Sequence, residues 1–301
     1  MTGHAYHGVT AVAADLSPEE WRSGERPPHI ETIPAPDPYR GPHRDRDDHV
    51  ERSAEEVTRA ADRLASRGLA LAAVLVDGGF TSDGILTPPP AYLRDVLART
   101  HEAGGLYVAD EVQVGHGRTG EHLWSFAGSG IAPDVVTLGK PMGNGHPVAA
   151  VITRSEIVDR FAETTEFFST YGGNPVAAGA AMAVLDVIRD QQLVERAAEM
   201  GRALLAGLRE LAARHEAIGD VRGRGLLAGV DLVVDRSTRV PDATLAREVL
   251  DPLRDRGVLV GSTGPRGNVL KLRPPLVFGE EHLELLVSSL DEALSEPLAP
   301  R

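Results

Sequence analysis

Apolar residues follow two patterns along this chain. Short unbroken runs at Leu71–Val76, Leu106–Ala109, Val135–Leu138 and Val148–Ile152 predict strands covered on both faces. Between the first two, Ala91–His101 carries Leu93, Val96 and Leu97 at helical spacing and stops at Gly104-Gly105, as a helix with a glycine end does. An earlier helix is expected from Ser53, which would cap it, with Glu56 three residues on. Strands alternating with helices make an α/β unit with a mainly parallel sheet. Beyond Pro175 the chain turns helical, with Leu204, Leu208 and Leu211 on one stripe. From about Ile218 strands return, at Leu226–Val234, Val258–Val260 and Val269–Leu272. A last helix then puts Leu283, Leu286, Val287, Leu290 and Leu294 on one face. The expected organisation is a large domain over residues 1–195 and a small α+β domain over 196–301. Pro27–His49 has no period and reads as a long loop, and no internal repeat is present.

At 301 residues and 42% apolar, the chain can build a sizeable core. Its net charge of -13 argues against a nucleic-acid partner and an anionic membrane surface. No cysteine is present, so disulfides and thiolate chemistry are excluded. Residues 1–20 lack the basic and apolar regions of a secretion signal. No apolar run approaches the ~20 residues of a membrane span, and a cytoplasmic location is expected. His43, Asp45, Asp47, Asp48 and His49 fit no metal-ligand spacing, so no metal site is expected.

The cations carry more information. Only two of the 31 basic residues are lysines, Lys140 and Lys271. Arginine stays protonated, whereas lysine can condense with a carbonyl or accept a proton near neutral pH. Lys140 follows the Val135–Leu138 run at a turn, and Asp110 follows the Leu106–Ala109 run. In an open α/β sheet, ligands bind beyond the carboxyl ends of strands. Asp110 alone could simply cap a following helix. Paired with Lys140, it matches the needs of a pyridoxal cofactor: an amine for the aldehyde and a carboxylate for the ring nitrogen.

The segments Asp110-Glu111-Val112-Gln113-Val114-Gly115-His116-Gly117-Arg118-Thr119-Gly120, Pro133–Gly145 and Ser169-Thr170-Tyr171-Gly172-Gly173-Asn174-Pro175, with His4-Ala5-Tyr6-His7-Gly8-Val9-Thr10, occur in this order. Together they resemble the class III aminotransferases, pyridoxal 5'-phosphate enzymes of fold type I. The resemblance implies that Lys140 forms the internal aldimine and moves the substrate proton. It also implies that Asp110 pairs with the pyridine nitrogen, Gln113 bonds the phenolic oxygen and Tyr6 stacks on the ring. Thr170 would reach the cofactor phosphate of a neighbouring subunit, which implies a homodimer with shared active sites. Gly115–Gly120 also fits the dinucleotide pattern GxGxxG. That reading fails because Asp110–Val114 separate the glycines from the strand, and a nicotinamide oxidoreductase rests on nothing else.

Lys271, in Asn268-Val269-Leu270-Lys271-Leu272-Arg273-Pro274-Pro275, stands where the family usually has a carboxylate-gripping arginine. The lysine resembles the ethanolamine-phosphate and phosphohydroxylysine phospho-lyase branch, as do Pro38–Arg44 and Lys140–Val148. This implies an amine substrate such as ethanolamine phosphate and elimination of its phosphate; the alternative is amino transfer to a 2-oxo acid. Asp77 would pair with Lys271 or else be a surface aspartate after a strand, and Arg118 or Arg273 could meet the substrate phosphate. The family also has a segment before the Tyr6 motif, with a Gly-Ser-Glu-Ala-Asn-like phosphate turn. Its absence here implies an N-terminally truncated large domain, and leaves a non-catalytic remnant or half of a split assembly as another possible reading.

Overall fold

The computed structural model describes residues 1–21 and 26–296. After helix α1 (Ala11–Asp15) and a turn-rich loop, α2 spans His49–Ala65. It begins upstream of Ser53 because its apolar stripe already includes Val50, which packs on the core with Ala54, Val57 and Ala60. Asp48 takes the cap position, and Ser53 lies on the buried face.

Strand β1 (Ala73–Asp77), helix α3 (Pro90–Glu102) and strands β2 (Leu106–Asp110), β3 (Val135–Leu138) and β4 (Ala150–Thr153) follow. They form a four-stranded sheet in the order β1-β2-β3-β4. The first three strands are parallel and β4 is antiparallel. Helices α2 and α3 cover one face, where Val57, Tyr92, Leu93 and Val96 meet Val74, Val76, Tyr107 and Ala109. The strand expected at Val148–Ile152 is therefore present with shifted ends, but it is not buried: Val151 and Ile152 are 66% and 52% exposed.

Helix α4 (Ser155–Thr164) buries no residue. Helix α5 (Pro175–Asp190) is largely apolar, yet buries only Ala177, Ala181 and Ile188. Helix α6 (Leu193–Arg214) places Leu204, Leu208 and Leu211 in the second core. There follow β5 (Ile218–Arg224), β6 (Leu227–Asp235), β7 (Val240–Pro241), α7 (Ala243–Glu248), α8 (Leu250–Asp255), β8 (Gly261–Thr263), β9 (Val269–Leu272) and α9 (Glu280–Ser295). The second sheet runs β5-β6-β9-β8, with β7 on β6, and every pairing is antiparallel.

Two expectations change here. Strand β5 was not legible, because Gly219, Asp220, Arg222, Gly223 and Arg224 give it no apolar alternation. The run Val258–Val260 is not a strand. The Val258 amide donates to the Leu253 carbonyl and the Gly257 amide to that of Arg254, with Gly257 at φ 83°. This is a helix stop of the Schellman type, whose following residue makes an apolar contact with the helix. Val258 accordingly joins the second core.

Two cores, one under each sheet, support the division proposed from the sequence, and we propose the boundary at residues 195 and 196. The cores are tied together by a buried charge. Asp231 of β6 has no exposed side-chain surface. It accepts hydrogen bonds from Arg40 of the long loop, from Arg222 of β5 and from Asn268. An unpartnered buried charge is strongly destabilising. Asp231→Ala would leave Arg40 without its carboxylate and Arg222 with Asp220 alone, so a stability loss of about 3 kcal/mol is expected in urea unfolding. A loss no greater than that from removing the exposed Asp255 would contradict this role.

Candidate active site

Parallel pairing puts Asp77 and Asp110 directly opposite each other at the carboxyl ends of β1 and β2, with Asp110 opposite Thr137 of β3. Each aspartate has its own partners. Asp77 accepts from the Gly79 amide at 3.0 Å, from the Thr81 amide at 2.9 Å and from the Thr81 hydroxyl. It thereby shapes the loop after β1. Asp77 makes no ion pair with Lys271, because its carboxylate is held by this loop; the expected pair is not formed.

Asp110 caps no helix; residues 111–120 form successive turns. Its Oδ1 accepts from the Val112 amide at 3.0 Å, and its Oδ2 lies 2.7 Å from His7 Nδ1. The His7 side chain is 4% exposed, and its Nε2 is buried without a hydrogen-bond partner among the described residues. His7 was missed in the sequence, although its neighbour Tyr6 was singled out. The bond to Asp110 brings the Tyr6 segment to this sheet end, where Tyr6 is half-buried.

Lys140 lies just past β3 with φ 34°, in the left-handed region that a residue with a side chain rarely adopts. Such strain often accompanies functional positions. Burial of its amine, then the nearby Arg273 charge, lower the Lys140 pKa, while Asp110 and Asp77 oppose them. Lys271, on β9, lies within electrostatic reach of Lys140, Arg273 and Asp77. Its register partners on both flanking strands are glycines, Gly229 and Gly261, so no neighbouring side chain crowds it. Burial, then Arg273, bring its pKa down to about 8.

Gln113 connects the two sheets. Its Nε2 donates to the Thr81 hydroxyl, and its Oε1 accepts from Arg273 Nη1 at 2.9 Å. Thr81 is a second residue that sequence reasoning missed; no local pattern marks a threonine four residues past a strand. The Thr263 hydroxyl donates to the Thr81 carbonyl at 3.0 Å, and Arg222 Nε to those of Gly84 and Ile85. The loop shaped by Asp77 is thus fastened to the second sheet. Between the sheets opens a cleft of about 710 Å³, lined by Gln113, Arg118, Lys140, Val184, Arg273 and Leu276 among others.

Thr170 stands apart. It sits in an exposed segment between α4 and α5 and is not brought to Lys140 or Asp110 within this chain. The glycines of Gly115–Gly120 serve packing. A Cβ on Gly120 would come within 2.5 Å of the Ala198 amide nitrogen in α6, and one on Gly225 within 2.4 Å of the Thr119 carbonyl carbon. They allow the turn to lie against α6 and the β5–β6 connection.

A lysine just past one strand end and an aspartate at the adjoining one, held by histidine, are groups that a pyridoxal-phosphate site needs. The sequence pattern of the family Aminotransferase class-III matches residues 2–294, and the chain belongs to that family. It is 40% identical to ethanolamine-phosphate phospho-lyase homolog 1 of Caenorhabditis elegans, over 97% of this chain and 66% of that protein. A phospholyase from Arthrobacter, solved in complex with phosphoethanolamine, superposes with a TM-score of 0.92 at 37% identity, covering 98% of this chain and 70% of that one. An amine transaminase from an uncultivated Pseudomonas species, solved with pyridoxal phosphate, gives a TM-score of 0.87 at 30% identity, over 97% and 68% of the two chains. The chain spans 60% to 66% of the length of the curated relatives it matches.

The donor set fits this cofactor. Lys140 offers an amine with a lowered pKa, and Asp110 offers a carboxylate whose orientation is fixed on both oxygens.

The lysines make a direct test possible. Folding disfavours protonated Lys271, so its penalty is full below pH 8 and fades as pH rises toward 10.5. Lys271→Met is expected to raise stability at pH 7, with the gain shrinking through that window. Competitive acylation should titrate Lys271 with a midpoint near 8. A midpoint above 10, or a gain independent of pH, would contradict the burial argument.

Proposed function

We propose that this chain acts in a phospho-lyase that removes phosphate from a phosphorylated amino alcohol such as ethanolamine phosphate. The observation that carries the reading is the placement of Lys140 just past one strand end and Asp110 at the adjoining strand end, with a second amine, Lys271 of β9, in the same electrostatic neighbourhood. The charges of Asp110 and Lys271 fall within electrostatic reach of Lys140. The family relatives named above support the substrate class.

In this reading Asp110, aimed by His7, would hold the cofactor's ring nitrogen in its protonated form, and Gln113 and Tyr6 would help to hold the ring. Pyridoxal phosphate, when bound, supplies an electron sink for the pair left on the amine-bearing carbon. Lys140 would take the proton from that carbon; burial lowers its pKa, which favours the neutral amine that a general base needs. Phosphate leaves from the neighbouring carbon, and hydrolysis then yields an aldehyde and ammonia. Asp77 contributes by holding the loop that carries Thr81, and Lys271 faces the substrate.

A homodimer belongs to the same reading. Thr170 is flanked by Phe167, Phe168 and Tyr171, which are 77%, 83% and 81% exposed, and by the bare apolar face of α5. An exposed apolar patch of this kind marks an interaction surface. A second copy on that face would bring Thr170 toward the partner's cofactor phosphate. A cytoplasmic location goes with this assignment; among the described residues no helix is long and apolar enough to cross a membrane.

The test is product analysis with ethanolamine phosphate. Release of inorganic phosphate and acetaldehyde without any 2-oxo acid is expected. Turnover that requires a 2-oxo acid would make the protein an aminotransferase, and neither product from a folded, cofactor-loaded chain would leave it a non-catalytic remnant or part of a split assembly. Lys271→Arg should retain lyase turnover, because a guanidinium still supplies a cation there. Complete loss would contradict the role given to Lys271.

A further inference from the structure

Asp83 is a carboxylic acid buried where no ion pair meets it among the described residues. It is 7% exposed. Its Oδ2 accepts from the Thr2 hydroxyl at 2.6 Å, and the His4 amide also donates to it. Asp83 lies in the loop that Asp77 shapes, just beyond Thr81. The loop is itself fastened to the second sheet. The Ser82 carbonyl accepts from the Gly264 amide at 3.1 Å, and the Thr81 carbonyl from the Thr263 hydroxyl.

What Asp83 grips is the segment Thr2–His7. Thr2 pairs with Ile33 in a short parallel bridge, and the Gly3 amide donates to the Ile33 carbonyl at 3.0 Å. At the other end His7 Nδ1 meets Asp110, and the His7 amide donates to the Ser17 hydroxyl oxygen. Two carboxyl groups therefore pin the segment, Asp83 after β1 and Asp110 at the end of β2. Tyr6 lies between the pins. Its hydroxyl has no hydrogen bond among the described residues, so the ring takes its place from the backbone held on either side.

The two pins differ in chemistry. Asp110 has an imidazole beside it, whereas the hydroxyl and amide on Asp83 carry no charge. The ionisable groups around Asp83 give it little relief. Asp77 of the same loop repels a second negative charge. The Met1 amine attracts one, but burial brings that amine's pKa down to about 6. Tyr92 of α3 stays protonated, its pKa raised by burial and then by Asp83. Asp83 also lines a cavity of about 560 Å³ with Asp37, Arg40, Arg222, Asp231 and Arg266, and there Arg40 and Arg222 are engaged with Asp231. The cavity gives the carboxyl group a route to water. Burial dominates this balance and raises the Asp83 pKa to about 7, with the Thr2 bond opposing it.

We propose that Asp83 is a positioning residue whose protonation sets how tightly the segment carrying Tyr6 and His7 is held to the loop after β1. The neutral carboxyl group keeps the bonds from Thr2 and His4 without burying a charge. The ionised one keeps the same bonds but buries a charge that release would return to water. A released Asp83 has its ordinary pKa of 3.8, so the hold is strongest near pH 4, weakens as pH rises to about 7 and is level above it. This rests on the reading of Tyr6 and His7 as residues that hold the cofactor, and it adds a control that lies outside the cleft.

The test follows hydrogen–deuterium exchange of the amides in residues 2–8, corrected for intrinsic rates, from about pH 5 to about pH 8.5. In the unaltered chain protection should fall about tenfold per pH unit between 5 and 7 and then level. Asp83→Asn should abolish that slope and, at pH 7.5, protect the segment about tenfold or more above the unaltered chain. Thr2→Val should lower protection at every pH yet keep the slope, because Asp83 stays buried. A slope that persists in Asp83→Asn, or faster exchange there than in the unaltered chain at pH 7.5, would overturn the proposal. The series is repeated with pyridoxal phosphate, which should add protection around Tyr6 and His7. If the slope depends on Asp83 but the cofactor adds no protection, the cofactor reading of Tyr6 fails while the role of Asp83 stands.

Discussion

The constraint on which this site depends is the parallel register of β1, β2 and β3. Parallel strands deliver their carboxyl ends to one edge, so the residues that end them must share a small space. Here those residues are two aspartates in direct register, with a lysine just beyond the third strand. Two carboxylates so placed repel each other unless each is engaged separately. The structure separates them by function: Asp77 shapes a loop and Asp110 meets His7. Asp110 is thereby held at the strand end, within electrostatic reach of Lys140.

The second sheet completes what the first begins. Strand β9 carries Lys271 between two glycines and leads directly into Arg273, while the loop after β1 is bonded to β5 and β8 by Arg222 and Thr263. The two halves therefore meet through hydrogen bonds centred on the residues that follow Asp77. Asp231, buried with Arg40 and Arg222, fixes the same junction at a distance from the chemistry. Arg40, in a loop without periodicity, thus helps to neutralise a charge buried in the second sheet.

Much of this was legible in the sequence for physical reasons. Lys140 stands out because the chain otherwise spends arginine on its positive charge, and Asp110 because it ends an apolar run. Unbroken apolar runs marked β2 and β3 almost to the residue, although only alternate residues of each are fully buried and the other face is partly open. Side chains that act through distant partners were not legible. His7 and Thr81 matter for bonds to residues 103 and 32 positions away, and no local spacing encodes such contacts. Asp77 ends β1, and its hydrogen-bond partners lie in its own loop and not on β9. Strand β5 and the Val258 turn were missed because one lacks apolar alternation and the other imitates it. Thr170 remains a matter for the assembly, because its surroundings within one chain are solvent.

The central claim is that Lys140, and not the other amine of lowered pKa, is the carbonyl-reactive group. Pyridoxal phosphate should be titrated into the purified chain, the adduct reduced with borohydride, and the labelled peptide mapped. The account predicts a visible-absorbing adduct carried on Lys140 alone, lost in Asp110→Ala or greatly weakened there. Label on Lys271, label shared equally between the two lysines, or no adduct from a folded protein would contradict it.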